Sequence, residues 1–484
     1  MKLFTPIDLG TMRLANRVVV PAMVTRLAGE DGRVTDALRA RYLRFAKGRP
    51  GLIVIEAMSV HGGKSGPLLR LSSDDFIADQ ARLVRDMKEA APGLKVVPQI
   101  IHFLKIARSG WRQKPADLTL DEIRAVVAQY GAAAERARRC GYDGVELHMA
   151  HAYTVSSFLS RLNQRPDAYG RSLENRMRLM TEILLEVRAR VGPDFPVGVR
   201  YDGEECIKNG YTLQDSRLIA VRIAQLGAAW ISISAGGKFE DAVAKPGVPV
   251  YPYTGYSGDR CMPPASYPDG ANLYLSEGIK AHLVAAGFAT PVVATGKIRT
   301  PELAESVLEK GQADLVGMAR AMLADPDWVV KVASGRADHL VRCVYGNVCK
   351  NLDENFRMVV CYLWPKGALN APDSADTSAP EWKRDGSLVG RESAGRVHLT
   401  WDEATDAEGI YGYEIYRAAD AAEFDHVNSV KGTTYVDKGV VAGVVYRYFV
   451  RAYDFAGNRS PRSRELRIAL AAPSFEAGAR AEGG

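Results

Sequence analysis

No stretch of this 484-residue sequence approaches the ~20 apolar residues that a bilayer-spanning helix needs. Its start, MKLFTPIDLGTMRLANR, also has no apolar core of the kind a secretory signal carries. A cytoplasmic setting with no membrane partner is therefore expected. Charge of one sign is scarce too: the net charge is +6 over 484 residues, with Lys and Arg interleaved with Asp and Glu. That leaves no basic stripe of the sort nucleic-acid binding requires. Six cysteines are too few and too scattered for a disulfide framework. Cys140, Cys206 and Cys261 read as small buried hydrophobes. Cys343, Cys349 and Cys361 fall within 19 residues, a density that suggests metal. No HExxH context exists for a catalytic zinc, and no strand-linked GxGxxG follows residue 370.

What is present is an ordinary globular composition, 47% hydrophobic and 25% charged, sufficient for a large core. Short β-branched runs alternate with amphipathic helical windows. The expected strands are 17–20, 51–56, 94–101, 143–147, 196–200, 229–234, 290–295 and 313–316. Helices are expected between them, near 36–47, 75–90, 119–139, 173–191, 213–226 and 276–286, then one opening at Thr300-Pro301 and a short one around Ala321. Thr119 with Glu122 makes a capping box, and Thr300 followed by Pro301 is a capped start. Eight strand-then-helix units imply a parallel (β/α)8 TIM barrel, whose active site lies at the C-terminal ends of the strands. Thr25, Ala57, Gln99, His102, His148, His151, Arg200, Gly296 and Arg320 all fall at or just past such ends. The segment 236–272, rich in Pro, Gly and Tyr, is too long for a plain connection and reads as a lid or an insert.

After Lys366 the pattern changes. Residues 368–395 are rich in Pro, Ser, Asp and Gly and read as a linker. From Arg396 strict alternation appears (VHLTW, YEIYR, TTYVD, YRYFVRAYD), the size and pattern of a small immunoglobulin-like β-sandwich. The expected organisation is a barrel over 1–367, the linker 368–395, a sandwich over 396–471 and a disordered tail over 472–484.

Several motifs in order carry a resemblance: LFTPIDLGTMRLANRVVVPAM, Gln99-x-x-His102, YDGVELHMAHAY, FLSRLNQRPDAYGRSLENRMR and DLVGMARAMLADPDW. With them the first ~365 residues resemble the Old Yellow Enzyme family of FMN-dependent oxidoreductases, nearest the branch containing bacterial 2,4-dienoyl-CoA reductase. Trp401, Tyr413-x-x-Tyr416, Tyr435-x-Asp437 and YRYFVRAYDFAGNRS make the C-terminal segment resemble a fibronectin type III domain.

The resemblance implies FMN as cofactor, NAD(P)H as reductant and a small-molecule substrate whose C=C bond is conjugated to a carbonyl or thioester. It implies that His148 and His151 hold the carbonyl oxygen and that Tyr153 donates the proton. Three residues apart in a helix-like turn, the histidines can face one side. Pro21, Ala22, Met23, Thr25, Ala57, Gln99 and Arg200 are implied around the flavin ring. Gly296, Lys297, Ala319 and Arg320 are implied at its phosphate, the usual barrel phosphate site. Read without the resemblance, two histidines after a strand are equally metal ligands or a satisfied polar patch.

The chain departs from relatives in three places. His102-Phe103-Leu104-Lys105 stands where they carry H-x-G-R. SAGGKFEDA follows strand six where the dienoyl-CoA reductase branch has a second histidine. The family's C-x2-C-x3-C-x11-C pattern, four thiolates on a [4Fe–4S] cluster, becomes Cys343-x5-Cys349-x11-Cys361 with Gly346 in place of one cysteine. The implied site is incomplete: three thiolates with another fourth ligand, or a remnant without a cluster. Two other functions compete. One is oxidative, an amine dehydrogenase or N-demethylase, which the tyrosine-rich stretch Tyr251 to Tyr256 would suit. The other is a binding protein with a degenerate barrel. The fibronectin-like domain would pack on the barrel or join two copies in a homo-oligomer.

Overall fold

The computed structural model describes residues 1–63, 66–105, 113–236, 258–372 and 376–470. Its first unit, Met1–Tyr362, is the expected barrel. Eight parallel strands close on themselves: β1 (Val18–Val20), β2 (Leu52–Ser59), β3 (Lys95–Ile101), β4 (Val145–Met149), β5 (Val197–Asp202), β6 (Trp230–Ser234), β7 (Val292–Thr295) and β8 (Leu315–Gly317), with β8 pairing back to β1. Nearly every residue of these strands is buried, as expected where helices cover the outside and side chains fill the inside.

Sequence signals set the helices between the strands. The helix Asp36–Lys47 starts at Thr35, whose hydroxyl accepts from the Leu38 amide. Leu120–Arg139 carries the expected reciprocal cap between Thr119 and Glu122. Pro301–Glu309 starts behind Thr300, which accepts from the Leu303 amide. The helix expected over 173–191 is two pieces, Leu173–Arg176 and Arg178–Val191, joined at Met177.

The floor of the barrel is shut by a hairpin, Ile7–Leu9 against Met12–Leu14. Its Leu9, Met12 and Leu14 pack on Val19, Leu52, Val54, Val97, Trp230, Val293 and Leu315 from six of the strands. Trp230 fits only because position 198 is glycine: a Cβ there would lie 1.9 Å from the indole ring. With the floor closed, the open end lies at the strands' C-termini.

The second unit, Leu363–Gly484, is all-β in its described part. A three-stranded antiparallel sheet (Leu388–Ser393, Arg396–Trp401, Thr434–Asp437) and a four-stranded one (Asp425–Val430, Ile410–Ala419, Val445–Asp454, Leu466–Ala469) share a core that includes Val397, Trp401, Ile415, Tyr448 and Val450. The strand Leu388–Ser393 falls inside the stretch expected as linker. It is an edge strand whose pattern buries Leu388 and leaves most of the rest to solvent, so its composition reads as loop. The expected tail 472–484 lies outside the described residues. No helix among those residues is long and apolar enough to cross a membrane.

Candidate active site

One cleft at the barrel mouth collects the sequence-predicted residues. Pro21, Ala22, Met23, Ala57, Gln99, His148, His151, Tyr153, Arg200, Gly296, Lys297, Ala319 and Arg320 all line it, contributed by the ends of seven strands. Thr25 does not line it. Its amide donates to Glu56 Oε2 at 3.1 Å, and its hydroxyl accepts from the Leu27 amide, so it braces the loop from behind.

His148 is the last residue but one of β4, and past Met149 the chain turns through His151 and Ala152, both left-handed at φ +60° and +57°. The two histidines are therefore brought together by a strand end and a left-handed turn, not by the helix-like turn the spacing suggested. The next helix begins only at Thr154. The rings of His148 and His151 lie edge to face at 5.1 Å, and Tyr153 is the same distance from His148. The Ala150 amide donates to His148 Nδ1 at 3.2 Å. Nδ1 is thus the acceptor and Nε2 carries the proton. Burial holds His148 well below the usual histidine pKa and pushes His151 down to about 3, with Arg200 adding to both shifts. Both rings are held neutral at ordinary pH.

Two partners of His151 escaped the sequence reading. Ser234 Oγ lies 2.5 Å from His151 Nε2, and Asp202 Oδ2 accepts from the His151 amide at 2.8 Å. Asp202 is fully buried, its Oδ1 meets no hydrogen-bond partner, and burial holds its carboxyl well above the usual range. A signal for them existed. Strand side chains alternate, so 200 and 202 share a face, as do 232 and 234 and also 146 and 148.

Deeper in the cleft, Gln99 Nε2 donates to Glu146 at 2.7 Å and Arg200 Nε at 3.3 Å, while Arg200 Nη2 is buried without a partner. At the other end Gly296 adopts φ +117°, and a Cβ there would come 2.9 Å from Asn272. The cations of Lys297, Arg299 and Arg320 lie over the Tyr345 ring at 4.7, 5.2 and 4.5 Å. The acid touching this group is Asp269, 3.0 Å from Arg299 and 3.7 Å from Lys297. This end therefore suits an anion. An orphaned guanidinium nitrogen at one end and clustered cations with a left-handed glycine at the other fit a ligand with a polar ring and a phosphate.

The departures are also placed. His102 Nδ1 is 2.7 Å from Thr154 Oγ1, and its ring meets His61 at 4.5 Å in an adjoining chamber. Cys349 lines the cleft and Cys343 is buried nearby, its Sγ accepting from the Tyr345 amide at 3.4 Å. These two and Cys361 do not gather into one ligand set. Among the described residues, the trio of potential ligands within 4.8 Å of one another is Asp376, Asp406 and Asp454, in the second unit. Tyr251 to Tyr256 lie outside the described residues.

The sequence profile of the NADH:flavin oxidoreductase / NADH oxidase family matches residues 2–103, 101–238 and 262–339. The chain is 32% identical over 367 residues to an NADH oxidase of Thermoanaerobacter brockii, covering 72% of this chain and 53% of that one. It is 31% identical over 465 residues to an N,N-dimethylglycine/sarcosine dehydrogenase of Chromohalobacter salexigens, 88% of this chain and 63% of that one. It thus spans little more than half to three-fifths of these relatives. An Old Yellow Enzyme homologue from Zymomonas mobilis shares the fold, with TM-score 0.55 and 21% identity over 69% of this chain and 93% of that one. The barrel, the residues gathered in its mouth and the profile match agree: the chain belongs to the NADH:flavin oxidoreductase / NADH oxidase family.

Proposed function

We propose that this protein uses FMN and NAD(P)H to reduce the C=C bond of an α,β-unsaturated carbonyl compound or thioester. The observation that carries this reading is a pair of neutral histidine donors, His148 and His151, in the cleft that also holds Gln99, Arg200, Lys297 and Arg320. When bound, FMN supplies the hydride carrier, taking hydride from the nicotinamide and returning it to an electron-poor carbon.

Hydride arriving at the β carbon drives charge onto the carbonyl oxygen. Fixed N–H donors aimed at that oxygen stabilise the charge without reorganising. His148 is set for this by the Ala150 amide, which leaves Nε2–H as its donor. His151 is held through its amide by Asp202 and through its ring by Ser234. Tyr153 stands beside His148 and donates the proton to the α carbon. Gln99 and Arg200 hold the polar edge of the flavin ring, and a cation there favours the reduced form. Gly296, Lys297, Ala319 and Arg320 hold the phosphate. The reaction balances as substrate plus NAD(P)H plus H⁺ giving saturated product plus NAD(P)⁺. The C-terminal unit is read as a fibronectin type III-like module outside this chemistry.

Similarity to the dimethylglycine/sarcosine dehydrogenase supports a second reading, amine oxidation on the same barrel. Two neutral N–H donors suit a carbonyl oxygen better than an amine. The test is anaerobic. Purified protein should be yellow, bleach with NADH or NADPH, and recover its colour when an enone is added. Bleaching by a methylated amine instead of nicotinamide would establish the second reading. A colourless protein that takes up no FMN would refute both and leave the binding-protein alternative.

A further inference from the structure

Glu146 is fully buried in the middle of β4, two residues before His148. Four donors from three other strands converge on its carboxylate. Gln99 Nε2 lies at 2.7 Å, Ser232 Oγ at 2.7 Å, Trp230 Nε1 at 3.1 Å and Arg200 Nε at 3.3 Å. Two of these, Gln99 and Arg200, also line the cleft, whereas Ser232 and Trp230 do not.

Both shared contacts have consequences for whatever the cleft holds. A carboxylate only accepts, so it must meet the NH2 end of the Gln99 amide. That leaves Gln99 Oε1 as the acceptor available to a ligand. Arg200 spends Nε on Glu146 and keeps Nη2 unpartnered. At this burial the negative charge of Glu146 also offsets part of the guanidinium's field, because close charges in a dry site are weakly screened.

We propose that Glu146 is the positioning residue of the cofactor site, orienting the Gln99 amide and setting how strongly Arg200 favours reduced over oxidised flavin. This rests on the FMN reading above. Glu146 touches neither cofactor nor substrate and acts through its two neighbours. Gln99 and Arg200 are therefore one unit with a shared counter-charge, and the flavin's potential is governed from behind the cleft wall.

The experiment compares FMN-loaded wild type, Glu146→Gln and Ser232→Ala by FMN affinity, midpoint potential and melting temperature. Glu146→Gln removes the counter-charge and lets position 146 donate as well as accept. The ratio of affinities for reduced over oxidised FMN should rise at least tenfold, which is about 30 mV upward for a two-electron couple. Ser232→Ala withdraws one donor from Glu146, leaves more of its charge on Arg200, and should lower the potential by a smaller amount. A merely structural role would lower the melting temperature and leave both potentials unchanged, which overturns the proposal. Should Glu146→Gln fail to fold, Ser232→Ala decides alone: an unchanged or raised potential refutes it. Wild type that takes up no FMN would instead defeat the underlying cofactor reading.

Discussion

A histidine kept neutral by burial is a hydrogen-bond donor that does not titrate near neutral pH, and the proposed chemistry rests, at the scale of single residues, on two such rings, His148 and His151. Replacing either with alanine should cut enone turnover by roughly 10²–10³, the usual cost of losing one oxyanion donor. FMN content, measured by absorbance, should stay at one per chain. Because burial holds both folded-state pKa values below the ordinary 6.5, that of His151 at about 3, neither ring titrates near 6.5. The pH profile of kcat/KM should then contain no acid limb from them, and loss of activity with a midpoint near 6.5 would contradict their neutrality. The histidines were legible in the sequence because three proton-handling side chains at one strand end are rare. Glu146, Asp202 and Ser234 were not, although they bond to residues that line the same cleft. Their partners lie 46 to 86 positions away along the chain, and only closing the barrel shows which inward-facing side chains meet.

At the scale of elements, all eight barrel strands were legible because each is a short apolar run between capped helices. Boundaries moved by up to three residues, which put Ala57 and His148 on strands rather than beyond them. The turn after β4 was misread for a physical reason. Three-residue spacing implies a helical face only if the backbone is right-handed, and positions 151 and 152 are not. Packing demands inside the strands were invisible as well. Gly198 looks like any glycine in PVGVR until Trp230 is seen to fill the space of its missing Cβ. Gly198→Ala should destabilise the barrel by about 1–3 kcal/mol through overpacking, read by urea denaturation. If stability is unchanged, the indole has room that the packing here denies it.

For the whole molecule, the change in character near residue 366 was legible as a change in periodicity, and contacts divide the chain at Tyr362/Leu363. The edge strand Leu388–Ser393 was not, since one buried residue in six leaves no alternation to detect. Acid should weaken the first unit partly through its buried histidines. His102, like His151, is pushed down to about 3 by burial. The unfolded chain therefore takes up a proton there below pH 6.5 while the native state does not until about 3. Stability from this source is complete above 6.5 and is lost as pH falls through that window, at about 1.4 kcal/mol per pH unit. His102→Asn, which keeps an oxygen or nitrogen near Thr154, should make the pH dependence of the urea midpoint between 6.5 and 4 shallower by that slope. An unchanged slope would mean that His102 is protonated in the native state.

The hairpin that floors the barrel carries a consequence for biosynthesis. Leu9, Met12 and Leu14 are made well before one of their partners, Leu315, which leaves the ribosome about 300 residues later. At about 5–20 residues per second that interval is roughly 15–60 s. Throughout it the nascent chain carries an apolar patch with no finished surface to cover it. Translation rate and chaperone access during that wait should therefore govern the soluble yield of this protein.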